Sequence, residues 1–302
     1  MNAYTEHPGL PAEIIRGYNR DLAELFSLYL NVMPTAIDRQ MVEDLATACG
    51  TTKAEAYAHL LAAMAGLDPA GKDRLFFRYW LAPAIRALDM HDYTNDAYFQ
   101  SIRIPTASKG NWLLRTQHLA PLEAFVCNDF VITADRRMLP QIGFFEEEYP
   151  YPAMLEGGRE WMTLLPNEMV TTTPAIEKAH GRVLTFGLGL GYFAFHAAEK
   201  EDVESVTVVD ISPDVIALFE THILPQFPHK EKIKLVCKDA FAFAQEDMTG
   251  NFDFVFADIW HDAGDGKELY LKFKEFEAKN PDIRFTYWLE DTIKCYLDET
   301  LW

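Results

Sequence analysis

In the first third of the chain apolar residues recur three and four positions apart, the spacing that lines one face of an α-helix. Ile14, Ile15, Tyr18, Leu22, Leu25, Phe26 and Tyr29 form one such stripe, which ends before Pro34. A second helix is predicted from Thr35 to about Cys49, with Ile37, Met41, Leu45 and Ala48 inward and Gly50 as its stop. Thr52 and Glu55 make a Ser/Thr-x-x-Glu capping box for a third, through Leu60, Ala63 and Met64. An aromatic-rich fourth segment runs from about Asp73 to Leu88, interrupted by Pro83.

From Phe99 to about Val170 the pattern changes to short runs of β-branched and aromatic residues. LEAFVC and FVITA, separated by Asn128-Asp129, predict a hairpin, although that turn lacks the glycine a two-residue connection prefers. After Pro174 strand and helix alternate: RVLTFGL, SVTVVD, KIKLVCKD, FDFVFADIW and DIRFTYWL are five apolar runs with helical patterns between them. Such alternation predicts an α/β fold, a Rossmann-like doubly wound and mostly parallel sheet. One short helical segment follows the fifth run, so the sheet is expected to be shortened there or completed by the β-rich segment. The predicted organisation is a helical domain at 1–98, a β-rich connector at 99–174 and the sheet domain at 175–302.

Charge narrows the partners. Of 302 residues, 27 are Lys or Arg and 46 Asp or Glu, a net charge of −19, with no basic segment. Nucleic-acid affinity comes largely from cations that neutralise phosphates, so nucleic acid and anionic membrane are excluded as expected partners. The second and third helices have helix-turn-helix spacing, yet TTKAEAYAHLLAAM offers only Lys53 and His59 to a phosphate. No apolar run reaches the length of a membrane span, and the first 30 residues lack a basic then apolar leader. A cytoplasmic protein is expected. Cys49, Cys127, Cys237 and Cys295 are scattered, which argues against a disulfide framework or a thiolate zinc site.

The chemistry concentrates at the strand ends. VLTF runs into Gly187-Leu188-Gly189-Leu190-Gly191 and then a helix, where glycines let the backbone turn tightly and approach a ligand. The dinucleotide fingerprint would need a further glycine where Tyr192 stands. Asp210, Asp239 and Asp258 each end one of the next three strands, and Asp210 is placed to accept ribose hydroxyls. Each of these acids could instead be a helix cap.

VLTFGLGLG, VTVVDIS, LVCKDAFAF and FDFVFADIW resemble the successive motifs of class I S-adenosylmethionine-dependent methyltransferases, across residues 180 to 290. The resemblance implies S-adenosyl-L-methionine as cofactor, with its methionine part at Gly187, Gly189 and Gly191, its ribose on Asp210, and its adenine against Ile211, Asp239 and Ala240. Asp258, Ile259 and Trp260 would face the transferred group. Thr185 stands where many members have an acid. Upstream, Trp161, Glu168, Thr171 and Thr172 are candidates to close over the site.

In-line displacement from a sulfonium chiefly needs alignment, with a base where the nucleophile is an amine or hydroxyl. Asp258 and His261 are the candidate catalytic residues; Trp161, Glu168 and Trp260 are the candidate substrate residues. The expected function is methylation of a small molecule, an amine or other cation. No metal is expected, since the loop with Asp258, His261, Asp262 and Asp265 does not match a calcium-binding loop. The alternative enzyme is an aminopropyltransferase. Spermidine-synthase-like proteins share the sheet, the Gly-rich turn and an aspartate after strand four, and an acidic site suits a polyamine. A cofactor-binding interaction module is the reading outside catalysis. Resemblance also implies a homodimer through the amino-terminal helices.

Overall fold

The computed structural model describes residues 9–302. They group into two compact units that interleave along the chain, one of residues 9–90, 118–149 and 294–302, the other of 91–117 and 150–293. The consecutive segments expected from the sequence differ from this, because residues 118–149 group with the helices of the first unit.

Helix α1 (Ala12–Val32) buries Ile15, Leu22, Phe26 and Tyr29 of the expected stripe together with the polar Asn19, while Ile14 is exposed and Tyr18 and Leu25 are half-buried. Helix α2 (Arg39–Cys49) starts later than Thr35, because the Asp38 carboxylate accepts the Met41 N–H at 2.9 Å and Gly50 closes the far end at φ 61°. Helix α3 (Lys53–Met64) is capped as expected by Thr52, which accepts the Glu55 N–H at 3.2 Å. The aromatic segment that follows is not one helix. It passes from α4 (Arg74–Phe76) through a π-helical turn at Phe77–Leu81 into strand β1 (Ile85–Leu88). Pro83 has no N–H for the Tyr79 carbonyl, and the Arg137 guanidinium donates to that oxygen instead, at 2.7 Å.

Short helices α5 (His91–Thr94) and α6 (Ala97–Ser101) lead to strands β2 (Ala107–Lys109), β3 (Trp112–Leu119), β4 (Phe125–Ile132), β5 (Met138–Phe145), β6 (Tyr149–Glu156) and β7 (Arg159–Thr163). The hairpin expected at Asn128-Asp129 is absent: both residues lie within β4. Strand β5 is central in a β1-β5-β4 sheet, and β4 shifts register between Asn128 and Val131, opposite Pro140. A proline in a central strand cannot donate to the ladder, so an irregular stretch in its partner is the compatible arrangement.

The rest of the chain alternates: α7 (Pro166–Lys178), β8 (Gly181–Phe186), α8 (Tyr192–Glu199), β9 (Val203–Asp210), α9 (Pro213–His222), β10 (Ile233–Cys237), α10 (Ala240–Glu246), β11 (Phe254–Ala257), α11 (Ala263–Lys279), β12 (Arg284–Tyr287) and α12 (Glu290–Leu297). The strands form a parallel five-stranded sheet in the order β10-β9-β8-β11-β12, compatible with a Rossmann-like fold. Strand β8 is central, and Phe186 at its end packs between Phe243 and Phe273, at 6.2 and 5.0 Å between ring centroids. Burying such a ring contributes about 2 kcal/mol. The sheet stops at β12; strands β2, β3, β6 and β7 form a sheet of their own instead of completing that edge. Among the described residues no helix is long and apolar enough to cross a membrane.

The first unit depends on one buried amide. Asn19 is fully buried; its Oδ1 accepts from the Trp80 indole and the Met138 N–H, each at 2.9 Å, and its Nδ2 donates to the carbonyls of Leu301 at 2.8 Å and Arg136 at 3.2 Å. Asn19→Ala is expected to lower stability by about 3 kcal/mol or more, since buried partners are left unpaired and each costs roughly 1–3 kcal/mol. Urea unfolding followed by tryptophan fluorescence measures this, and a loss under about 1 kcal/mol would contradict it.

Candidate functional site

Strand order reverses at β8, with β9 on one side and β11 on the other, so the loops after β8 and β11 open a crevice at the carboxyl ends of the strands. The Asp258 N–H donates to the Phe186 carbonyl at 2.9 Å. Gly187, at φ 95°, then runs so close to Asp258 that a Cβ there would land on the Asp258 carbonyl oxygen. Gly191, at φ 76°, is crowded by the Phe219 ring. Tyr98 of α6 fixes the turn from outside, its hydroxyl donating to the Leu190 carbonyl at 2.6 Å.

Asp210 ends β9 and is drawn into the same turn. One carboxylate oxygen accepts the Leu188 N–H at 3.0 Å and the other the Ser212 N–H at 2.8 Å. Burial pushes its acid constant up, and these two N–H groups oppose the rise. Beside it Ile211 is 70% exposed, an apolar side chain displayed at the crevice rather than used in the core. Asp239 is exposed and caps α10, accepting the Ala242 N–H at 2.9 Å, while Ala240 behind it is buried. The capping role open to each acid is therefore the observed one for Asp239, whereas Asp210 braces the Gly-rich turn.

Two acids meet behind the crevice. Glu168 lies on the first turn of α7 and is buried; Asp258 follows β11. Burial pushes the Asp258 carboxyl up to about 7. Glu168 rises well above the carboxylate range through burial and then the neighbouring Asp258 charge, with the Thr172 hydroxyl opposing. Two coupled carboxyls held largely out of water resist double ionisation, so the pair retains a proton toward neutral pH. Thr171, the other predicted threonine, accepts the Trp288 indole N–H at 2.8 Å and thereby ties α7 to the end of β12.

The remaining predicted residues sit on β7 and the loop before α11. Trp161 is about half exposed, with the rings of Trp112 and His261 at 6.0 and 5.9 Å. His261 is exposed, and its Nε2 lies 3.2 Å from the Glu160 carbonyl. Trp260 is buried against the first turn of α11, where its indole meets Gly266, and its N–H has no partner among the described residues. Asp262 and Asp265 form a reciprocal capping box at the start of α11. That box uses both acids, and among the described residues no group of three or more His, Cys, Asp or Glu side chains is arranged to hold a metal.

One contact has no counterpart in the sequence motifs. Met162, on β7, rests its sulfur on Gly189, which has φ 49°, and accepts the Leu190 N–H at 3.2 Å. Strand alternation would not have found it, because β7 is bulged at Trp161: Leu155 pairs with Glu160 and Met154 with Met162, and Arg159, Glu160 and Trp161 are all exposed.

Residues 164–280 match the spermine/spermidine synthase domain. The match runs from α7 into the second half of α11 and beyond it to Asn280, so it includes Glu168, the Gly-rich turn and Asp258. No curated protein matches the chain. The domain match corrects the expected methyl transfer, and with it S-adenosyl-L-methionine as cofactor. The physical reason for the error is that both families use the same sheet, turn and strand-end acids, so those residues carry the fold and do not select the group transferred.

The acid pair has a consequence for stability. An acid whose constant is higher folded than unfolded binds more protons in the folded state, so stability falls as pH rises from about 4 through about 7. Thermal midpoints measured between about pH 5 and about pH 9 should show this fall, and Glu168→Gln should flatten it by removing one of the two raised groups. An equally steep fall in the variant would refute the assignment.

Proposed function

We propose that the chain is an aminopropyltransferase, moving the aminopropyl group of decarboxylated S-adenosylmethionine to a small amine. The observation that carries this reading is the spermine/spermidine synthase domain match over residues 164–280. The charge of the crevice supports it: a sulfonium donor and an ammonium acceptor are both cations, and Glu168 and Asp258 meet at the site.

In this reading Asp210 holds the donor's ribose, Ile211 packs on its adenine, and Asp239 with Ala240 meets the adenine edge. Trp161 walls the acceptor side, with Trp260 behind the loop. The acceptor amine attacks the carbon bonded to the sulfonium; the new N–C bond forms as the C–S bond breaks, and the sulfur leaves as a neutral thioether. Before attack the ammonium must lose a proton. Asp258 accepts it, and an acid constant of about 7 suits a base that works near neutrality. Glu168, raised by burial and by the Asp258 charge, opposes a second charge on the pair.

Incubation of the full chain with decarboxylated S-adenosylmethionine and a panel of diamines and polyamines tests the reading, with the elongated amine identified by mass spectrometry. Asp258→Asn should cut turnover by about 10²-fold or more while donor affinity stays within about threefold. Transfer of methyl in place of aminopropyl, or undiminished turnover in the variant, would overturn the reading.

A further inference from the structure

A donor that keeps its carboxylate has to find N–H groups or a cation for it, because an unpaired carboxylate out of water is costly. In most Gly-rich turns the backbone supplies such groups. Here they are used elsewhere. Gly187 N–H donates to the Val209 carbonyl at 2.9 Å, Leu188 N–H to Asp210 at 3.0 Å, and Gly191 N–H to the Leu188 carbonyl at 2.8 Å. The Leu190 N–H is covered by the Met162 thioether, 3.2 Å away. Four of the five N–H groups of the turn are thus engaged, and three of their partners belong to the sheet or to the turn itself. The fourth is held by a side chain from β7, outside the parallel sheet.

We infer that Met162 sets the selectivity of the turn for a donor without a carboxylate. The inference rests on the aminopropyltransferase reading and adds the residue that discriminates between the two forms of the donor. Its sulfur sits on Gly189, so its bulk fills the space over the turn that a carboxylate would need. A thioether is a weak acceptor, so covering the Leu190 N–H stabilises little by itself, but it denies that N–H to a stronger, charged acceptor. A donor ending in an ammonium has no such need, and an apolar thioether lies readily against its methylene chain.

Calorimetric titration of the full chain with S-adenosylmethionine and with decarboxylated S-adenosylmethionine tests this. The wild type should bind the decarboxylated compound at least about tenfold more tightly, and Met162→Ala should narrow the ratio by about tenfold, or 1.4 kcal/mol, mainly through tighter binding of S-adenosylmethionine. Met162→Gln keeps the length of the side chain and supplies an amide N–H to a carboxylate, so it should narrow the ratio even if the alanine variant folds poorly. A wild-type preference for the decarboxylated compound that persists unchanged in the folded variants would overturn the Met162 assignment and leave the aminopropyltransferase reading standing. A wild-type preference for S-adenosylmethionine would overturn both.

Discussion

Everything at the candidate site hangs on the approach of Gly187 to the Asp258 carbonyl. Strands β8 and β11 are neighbours in a parallel sheet, and their carboxyl ends must part for a ligand to enter between the loops that follow. A residue with a Cβ at position 187 would force those loops apart at their roots, because the atom would coincide with the Asp258 oxygen. Glycine at φ 95° lets the turn start at once, and so brings the donor cradle and the candidate base onto adjacent backbone. The bracing of Leu188 and Ser212 by Asp210, and of Leu190 by Tyr98, then has a fixed turn to act on.

That economy of space has an electrostatic cost. Glu168 is buried and Asp258 is half-buried beside it, and among the described residues no ion pair offsets the cost for either. Such a pair destabilises the free protein above neutral pH and is relieved when a cation arrives. Binding a sulfonium and an ammonium would therefore recover energy that folding has left uncompensated, which is a reason for such acids to lie at a site and not in the core. By contrast Asp96 serves structure: despite burial, His196 and Tyr192 hold its carboxyl below the usual range, so it is ionised and satisfied.

Much of this was legible in the sequence because apolar runs and strand-end residues follow fixed periods. The five parallel strands, the Gly-rich turn and the three aspartates could be read from Val183 to Tyr287 without coordinates. The hairpin at Asn128-Asp129 could not, since its error lies in Pro140, twelve residues away, whose missing N–H makes an irregular stretch in β4 look locally like a turn. Asp239 and Asp210 looked equivalent as strand-end acids; only three-dimensional neighbours separate a helix cap from a brace. Glu168 was named, but its pairing with Asp258 depends on how α7 docks beside β11, which periodicity does not encode.

The transferred group was the hardest thing to read, and the reason is physical. Methyl and aminopropyl transfer from a sulfonium share the leaving sulfur, the ribose and the adenine, so the residues that hold these parts look alike in both. The donors differ in whether a carboxylate is present and in which carbon beside sulfur meets the nucleophile. Discrimination must therefore come from side chains around the amino-acid end of the donor, and the residue proposed for it, Met162 on β7, lies upstream of the glycines. A motif read from the first glycine onward begins too late to include it.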